Sequence, residues 1–131
     1  MSDTPINPLK QHGAFSWNEL MTTDMQGAKS FYQKMFNWQV EGVESDMPYM
    51  MAKIGEQDAA GFMPIPPEAE GMPAIWGGYV TVDDVDASAK QAVELGGKVL
   101  LEARDIPKVG RFCVISDPQG ATLSLITYLN P

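Results

Sequence analysis

Trp17-Asn18-Glu19-Leu20-Met21-Thr22-Thr23-Asp24 decides the reading of this chain, because Gly77-Gly78-Tyr79-Val80-Thr81-Val82-Asp83-Asp84 repeats its plan sixty residues later. In the first copy Phe15, Trp17, Glu19 and Met21 alternate with Ser16, Asn18 and Leu20, which is the period of a strand. Thr23 or Asp24 then offers a side-chain oxygen to the free N–H groups that open a helix. Met25, Ala28, Phe31, Tyr32, Met35 and Phe36 follow at helical spacing as one apolar stripe. Asn37 tolerates the left-handed conformation that commonly ends a helix. In the second copy a strand over 75–82 leads through Asp83 or Asp84 into a helix reaching Gly96, with Val85, Ser88, Ala89, Ala92 and Val93 as its buried side. Gly97 takes the place of Asn37.

Working outward, each helix is followed by three further strands. The first set is expected at 38–43, 49–54 and 59–65, with a turn at Glu44-Ser45-Asp46 and Pro64 marking a sheet edge. The second is expected at 98–103, 111–116 and 121–128, with Asp117-Pro118-Gln119-Gly120 as a turn before the last. Pro66-Pro67-Glu68-Ala69-Glu70-Gly71-Met72-Pro73 is rich in breakers and reads as the linker. The fold class is therefore α+β: two tandem βαβββ modules forming a curved mixed sheet around a cavity, with the helices packed on its other face. Residues 1–12 form an extended arm able to pack on a partner. One domain spans 13–131, with module one at 13–66, the linker at 66–74 and module two at 75–129. A unit of about 60 residues would be marginal alone, and two sharing a sheet remove that difficulty.

The 131 residues carry a formal charge of −8 with only 9 Lys and Arg, none gathered into a basic stripe, so a nucleic-acid partner is not expected. No run approaches the roughly 18 apolar residues that span a bilayer, and no membrane partner is expected. Residues 1–8 lack the basic and apolar regions of a secretory signal, and the single Cys113 cannot form an internal disulfide; both lead us to expect a cytoplasmic protein.

The chain resembles the vicinal oxygen chelate superfamily, which holds glyoxalase I, extradiol dioxygenases, fosfomycin-resistance transferases and bleomycin-resistance proteins. The resemblance rests on Glu19-Leu20-Met21-Thr22-Thr23-Asp24, on Ala28-Lys29-Ser30-Phe31-Tyr32, and on Val80-Thr81-Val82-Asp83-Asp84-Val85-Asp86. It extends to Val109-Gly110-Arg111-Phe112 leading into Asp117-Pro118-Gln119-Gly120. Metal-using members place ligands on the first and fourth strand of each module. Those positions fall here on Trp17, Gly61, Gly77 and Ser124. Indole has no lone pair to give, glycine has no side chain, and a lone serine hydroxyl is a weak ligand. The only histidine, His12, precedes the first strand and reads as solvent-exposed. The resemblance thus implies a metal-free branch, with neither metal nor cofactor expected, and it implies a homodimer.

Period-2 alternation puts Phe15, Trp17, Glu19 and Met21 on the face that holds the ligands in relatives. The second module adds Gly77, Tyr79 and Thr81, and then Thr122, Ser124, Ile126 and Tyr128. The expected ligand-binding set is Trp17, Glu19, Gly77, Tyr79, Ser124, Tyr128 and Arg111, with Tyr49 and Arg111 at the pocket mouth. Glu19, a carboxylate among aromatic groups, should have its pKa raised by desolvation, which suits a general base or an anchor for a cationic ligand. Its structural alternative is pairing with Arg111, Lys53 or a tyrosine hydroxyl. Cys113 reads as an inert core residue. Met47, Met50, Met51, Met63 and Met72 read as core packing or a subunit interface. Three functions follow. The first is a metal-independent protein that binds a small organic molecule, as the bleomycin-resistance type does. The second is an isomerase or lyase using Glu19 and a tyrosine hydroxyl, Tyr79, as base and acid. The third is a structural module whose cavity is filled by its own side chains.

Overall fold

The computed structural model describes residues 5–44, 48–67 and 70–131. Along them run β1 (Phe15–Thr22), α1 (Met25–Phe36), β2 (Gln39–Gly42), β3 (Met50–Ile54), β4 (Gln57–Pro64), β5 (Ile75–Thr81), α2 (Val85–Glu94), β6 (Lys98–Ile106), β7 (Gly110–Ser116) and β8 (Thr122–Tyr128). The βαβββ pattern thus occurs twice, and the N-terminal ends of the two helices are sixty residues apart, as in the sequence repeat. Ser45, Asp46 and Met47 of the expected turn and cluster, Glu68 and Ala69 of the expected linker, and the first four residues of the arm lie outside the described residues. Two compact units emerge, Trp17–Gly77 and Met1–Ser16 with Gly78–Pro131.

In the first unit the strands lie in the order β2-β3-β4-β1, with β4 and β1 parallel and the other pairs antiparallel. Asp24 starts α1 as expected: its Oδ1 accepts from the Gly27 N–H at 2.9 Å. Asn37 ends the helix at φ 59°, the left-handed conformation an amide side chain tolerates. Leu20, Val40, Ala52, Ala60 and Phe62 form the core, with Met25, Ala28, Tyr32, Trp38 and Met50 packed against it. The apolar stripe of α1 is wider than the sheet beneath it. Phe31, Met35 and Phe36 are each more than half exposed, so only part of the stripe packs on the sheet. Tyr32 binds the core edge together through ring contacts with Trp38, Phe62 and Trp76, and its hydroxyl accepts from Trp76 Nε1 at 3.1 Å. Pro64 lies on an interior strand, yet the β3 partner stops at Phe62, so the missing N–H breaks no ladder bond there.

The second unit repeats the order as β6-β7-β8-β5, with β5 and β8 parallel. Asp84 Oδ1 accepts from the Ala87 N–H at 3.1 Å to open α2. Val82, Val85, Cys113 and Leu125 form the core, with Ala89, Ala103, Ile115 and Leu123 against it. Val93 is 54% exposed and does not belong to the buried side. The left-handed residue after α2 is Gly96, at φ 95°, one position before the expected Gly97. Gly97 answers a different demand: a Cβ there would lie 2.5 Å from the Ser116 carbonyl oxygen. The arm folds onto its own unit. Gly13 N–H donates to Thr81 O and Thr81 N–H to Ala14 O, both at 2.8 Å. The Thr81 hydroxyl donates to the Pro8 carbonyl at 2.6 Å, and Asp83 N–H donates to His12 Nδ1 at 3.0 Å. Among the described residues no helix is long and apolar enough to cross a membrane.

Candidate functional site

In the first unit, strand pleating separates the side chains of β1 cleanly. Leu20 enters the core beneath α1, so Trp17, Glu19 and Met21 stand on the opposite face. Register carries that face across the sheet: Glu19 lies opposite Gly61, Met21 opposite Met63, and Gly61 opposite Met51. The face away from the helix therefore presents the Glu19 carboxylate among an indole and the thioethers of Met21, Met51 and Met63, with Glu41 of β2 opposite Met51. Two of the five clustered methionines thus lie on this face, while Met50 packs on the core.

Glu19 is only 6% exposed, and its carboxylate is held by a relay of hydrogen bonds. The Tyr49 hydroxyl donates to Glu19 Oε2 at 2.9 Å, and Trp17 Nε1 donates to the same hydroxyl at 3.1 Å. A phenol donating to a buried carboxylate compensates part of its lost hydration. Of the partners weighed for Glu19, a tyrosine hydroxyl is the one that the geometry supplies, and it is Tyr49. Tyr49 stands just before β3, so its ring must cross β4 to reach β1, and it crosses at Gly61. A Cβ on Gly61 would overlap the Tyr49 hydroxyl oxygen and Cζ. Gly77 lies in the same unit, and its nearest approach is to the Glu19 carbonyl oxygen, 4.0 Å from an added Cβ.

In the second unit Tyr79 lies opposite Ser124, and both are buried on the face away from α2. Tyr79 meets the Phe112 ring at 6.2 Å. Tyr128 exchanges a hydrogen bond with Ser16 at 2.8 Å. Burial pushes the Tyr128 phenol above its ordinary pKa, and the Ser16 hydroxyl opposes this in part. Arg111 does not join them. It shares the face of β7 with Cys113, beneath α2, and its guanidinium grips Asp86 through Nε at 2.9 Å and Nη2 at 3.1 Å. Nη1 holds Asp105 at 3.1 Å. The Arg111 hydrogen bond holds the Asp86 carboxyl below its usual range, and the two carboxylates hold the guanidinium protonated. The expectation that Arg111 serves the pocket mouth is corrected: β7 alternation turns it to the helix side, beside an open depression of about 290 Å³ lined by Asp83, Asp84, Asp86 and Asp105. Cys113 is fully buried, and burial, followed by the charges of Asp86 and Glu102, raises its thiol pKa. That is the environment of an inert thiol.

A sequence model of the Glyoxalase/Bleomycin resistance protein/Dioxygenase superfamily matches residues 14–125. The chain belongs to that superfamily. A protein named "Putative glyoxylase CFP32" from Mycobacterium tuberculosis is 40% identical over 121 residues, covering 88% of this chain and 46% of its own length. The anthracycline biosynthesis protein DnrV of Streptomyces peucetius is 32% identical over 127 residues, covering 86% of this chain and 46% of its own. The chain thus spans about half the length of these curated relatives. Methylmalonyl-CoA epimerase from Mycobacterium tuberculosis superposes with a TM-score of 0.63 at 16% identity, covering 95% of this chain and 92% of that one. A variant of homoprotocatechuate 2,3-dioxygenase from B. fuscum gives 0.62 at 19%, covering 95% and 34%. At such identities the likeness is one of fold.

Superfamily members of the metal-using kind need donors at the positions of Trp17, Gly61, Gly77 and Ser124. The residues present do not fit a divalent ion. The Trp17 indole N–H is a donor already spent on Tyr49, and the space beside Gly61 is filled by the Tyr49 phenol. Among the described residues no three His, Cys, Asp or Glu side chains gather in a metal-binding group. Sequence reasoning placed Trp17 and Glu19 correctly on one face but left Tyr49 out of the binding set. The sequence carried no signal for it beyond a lone glycine inside the β4 pattern, because the register that sets Gly61 between Tyr49 and Glu19 is long-range.

Proposed function

We propose that this chain is a metal-independent small-molecule-binding protein of the glyoxalase/bleomycin-resistance type, and that its ligand docks on the Glu19 face of the first unit. The observation that carries this reading is the buried Glu19 carboxylate, oriented by Tyr49 and Trp17 beside the thioethers of Met21, Met51 and Met63. Methionine and indole surfaces accept planar apolar groups of varied shape, and a fixed carboxylate selects a hydrogen-bond donor or a cation among them. The net charge of −8 likewise favours a cationic ligand. An anthracycline bearing an amino sugar has both features, and one relative is named for anthracycline biosynthesis. We place the protein in the cytoplasm as a homodimer.

The test is a thermal-shift and calorimetric screen of amine-bearing aromatic compounds, anthracyclines included, on the wild type and Glu19→Gln. A ligand that binds the folded state raises the melting temperature, and the Gln variant should weaken binding by roughly tenfold or more. Equal binding by the two proteins would refute the assignment of Glu19. The carboxylate–phenol contact also favours a second reading, an isomerase or lyase in which Glu19 takes a proton and Tyr49, rather than Tyr79, supplies one. Solvent deuterium appearing in a bound carbon acid with wild type, and not with Glu19→Gln, would select it.

A further inference from the structure

Gly61 breaks a local rule. It sits inside β4, paired on both sides, where glycine forgoes side-chain packing and is less stable than alanine. It is buried, and its neighbours Ala60 and Phe62 both belong to the core. Nothing in its backbone requires glycine, since it is not among the positive-φ residues. The requirement is spatial. Tyr49 and Glu19 lie on opposite sides of β4, and strands stand about 4.8 Å apart, so the phenol must lie flat across β4 to bridge roughly two strand spacings. The crossing point is Gly61, where a Cβ would overlap the hydroxyl oxygen and Cζ and reach Cε1.

We infer that Gly61 is the positioning residue of this site: the bare backbone is the seat of the Tyr49 ring, and through it Gly61 sets the orientation of Glu19. Alanine at 61 displaces the phenol, so that the Glu19 carboxylate loses a donor and the Trp17 indole loses its acceptor without either residue being altered. The meaning of the inference rests on Glu19 as the ligand anchor, but its test needs no ligand. A failed ligand screen and a failed coupling are therefore separate results.

The experiment is a cycle of wild type, Gly61→Ala, Tyr49→Ala and the double variant, read by melting temperature and by the three indole N–H resonances in a proton–nitrogen correlation spectrum. With Tyr49 present, Gly61→Ala should lower the melting temperature by roughly 4–10 °C, the cost of overpacking. In the Tyr49→Ala background it should leave the melting temperature unchanged or raise it, because alanine is then the better strand residue. The Trp17 indole resonance should move in Gly61→Ala as it does in Tyr49→Ala, while those of Trp38 and Trp76 stay in place. Equal destabilisation in both backgrounds, or an unmoved Trp17 resonance in Gly61→Ala, overturns the inference. Should Gly61→Ala fail to fold, the double variant decides: a melting temperature below that of Tyr49→Ala overturns the inference, and one equal or higher supports it.

Discussion

Tyr49→Phe removes one oxygen atom and leaves the ring on its glycine seat, which isolates the hydrogen-bonding role of the phenol. Two bonds are lost, the 2.9 Å donation to Glu19 Oε2 and the 3.1 Å acceptance from Trp17 Nε1. A hydrogen bond to a charged group is worth about 1.5–3 kcal/mol, and a half-buried indole N–H left unpaired adds about 1 kcal/mol. The expected loss is therefore about 2.5–4 kcal/mol, dominated by the carboxylate because Glu19 is almost fully enclosed. Unfolding entropy near 2.1 cal/mol/K per residue gives about 0.28 kcal/mol per kelvin for this chain, so the melting temperature should fall by roughly 9–14 °C. Urea denaturation with an unchanged m-value would confirm a loss of stability rather than a change in compactness. Pairing the variant with Glu19→Gln should show a coupling of at least about 0.5 kcal/mol, because the two groups share one bond. A fall of less than about 2 °C, or strict additivity, would show that the phenol does not hold the carboxylate.

Further expectations concern the rest of the molecule. Asp24→Ala and Asp84→Ala each remove one helix N-cap and should each cost about 1 kcal/mol in chemical denaturation, with similar values because the two caps are repeats of one device. The Tyr128 phenol is raised above its unfolded pKa by burial, so the neutral form is favoured in the fold. Its contribution is full below the unfolded pKa near 10 and is lost as pH rises through the higher folded value, and Tyr128→Phe should flatten that alkaline limb of a stability profile. Cys113 should resist thiol-specific alkylation until denaturant unfolds the protein, as its burial and raised pKa both require. Arg111→Ala should leave the binding of any ligand found by the Glu19-directed screen unchanged, and its modest effect on stability should fade in high salt, because its ion pairs are solvent-exposed.

The sixty-residue echo of 17–24 in 77–84 was enough to specify the fold class, because strand and helix periods are local properties of the chain. Asp24, Asp84 and Asn37 were legible as caps for the same reason: a cap bonds within three or four residues of itself. Alternation also separated Glu19 from Leu20 without any knowledge of the sheet. Errors arose where a partner was distant. The exposed Phe31, Met35 and Phe36 depend on how much of α1 the sheet can cover, and the need for glycine at 97 comes from the distant Ser116 carbonyl, while the left-handed position falls on Gly96. Arg111 is a third such case, because β7 pleating turns it to the helix face, where it meets Asp86.

By itself, then, the sequence determined the repeat and the superfamily, and the resemblance pointed to Trp17, Gly61, Gly77 and Ser124 as the positions where metal donors would be needed. Only the tertiary structure decided what fills that space. Tyr49 and Glu19 are thirty residues apart with no periodic relation, and they meet because β4 lies between their strands and carries, at one register position, no side chain. Register between strands is a long-range property, set by the packing of a whole sheet, and a local pattern does not contain it.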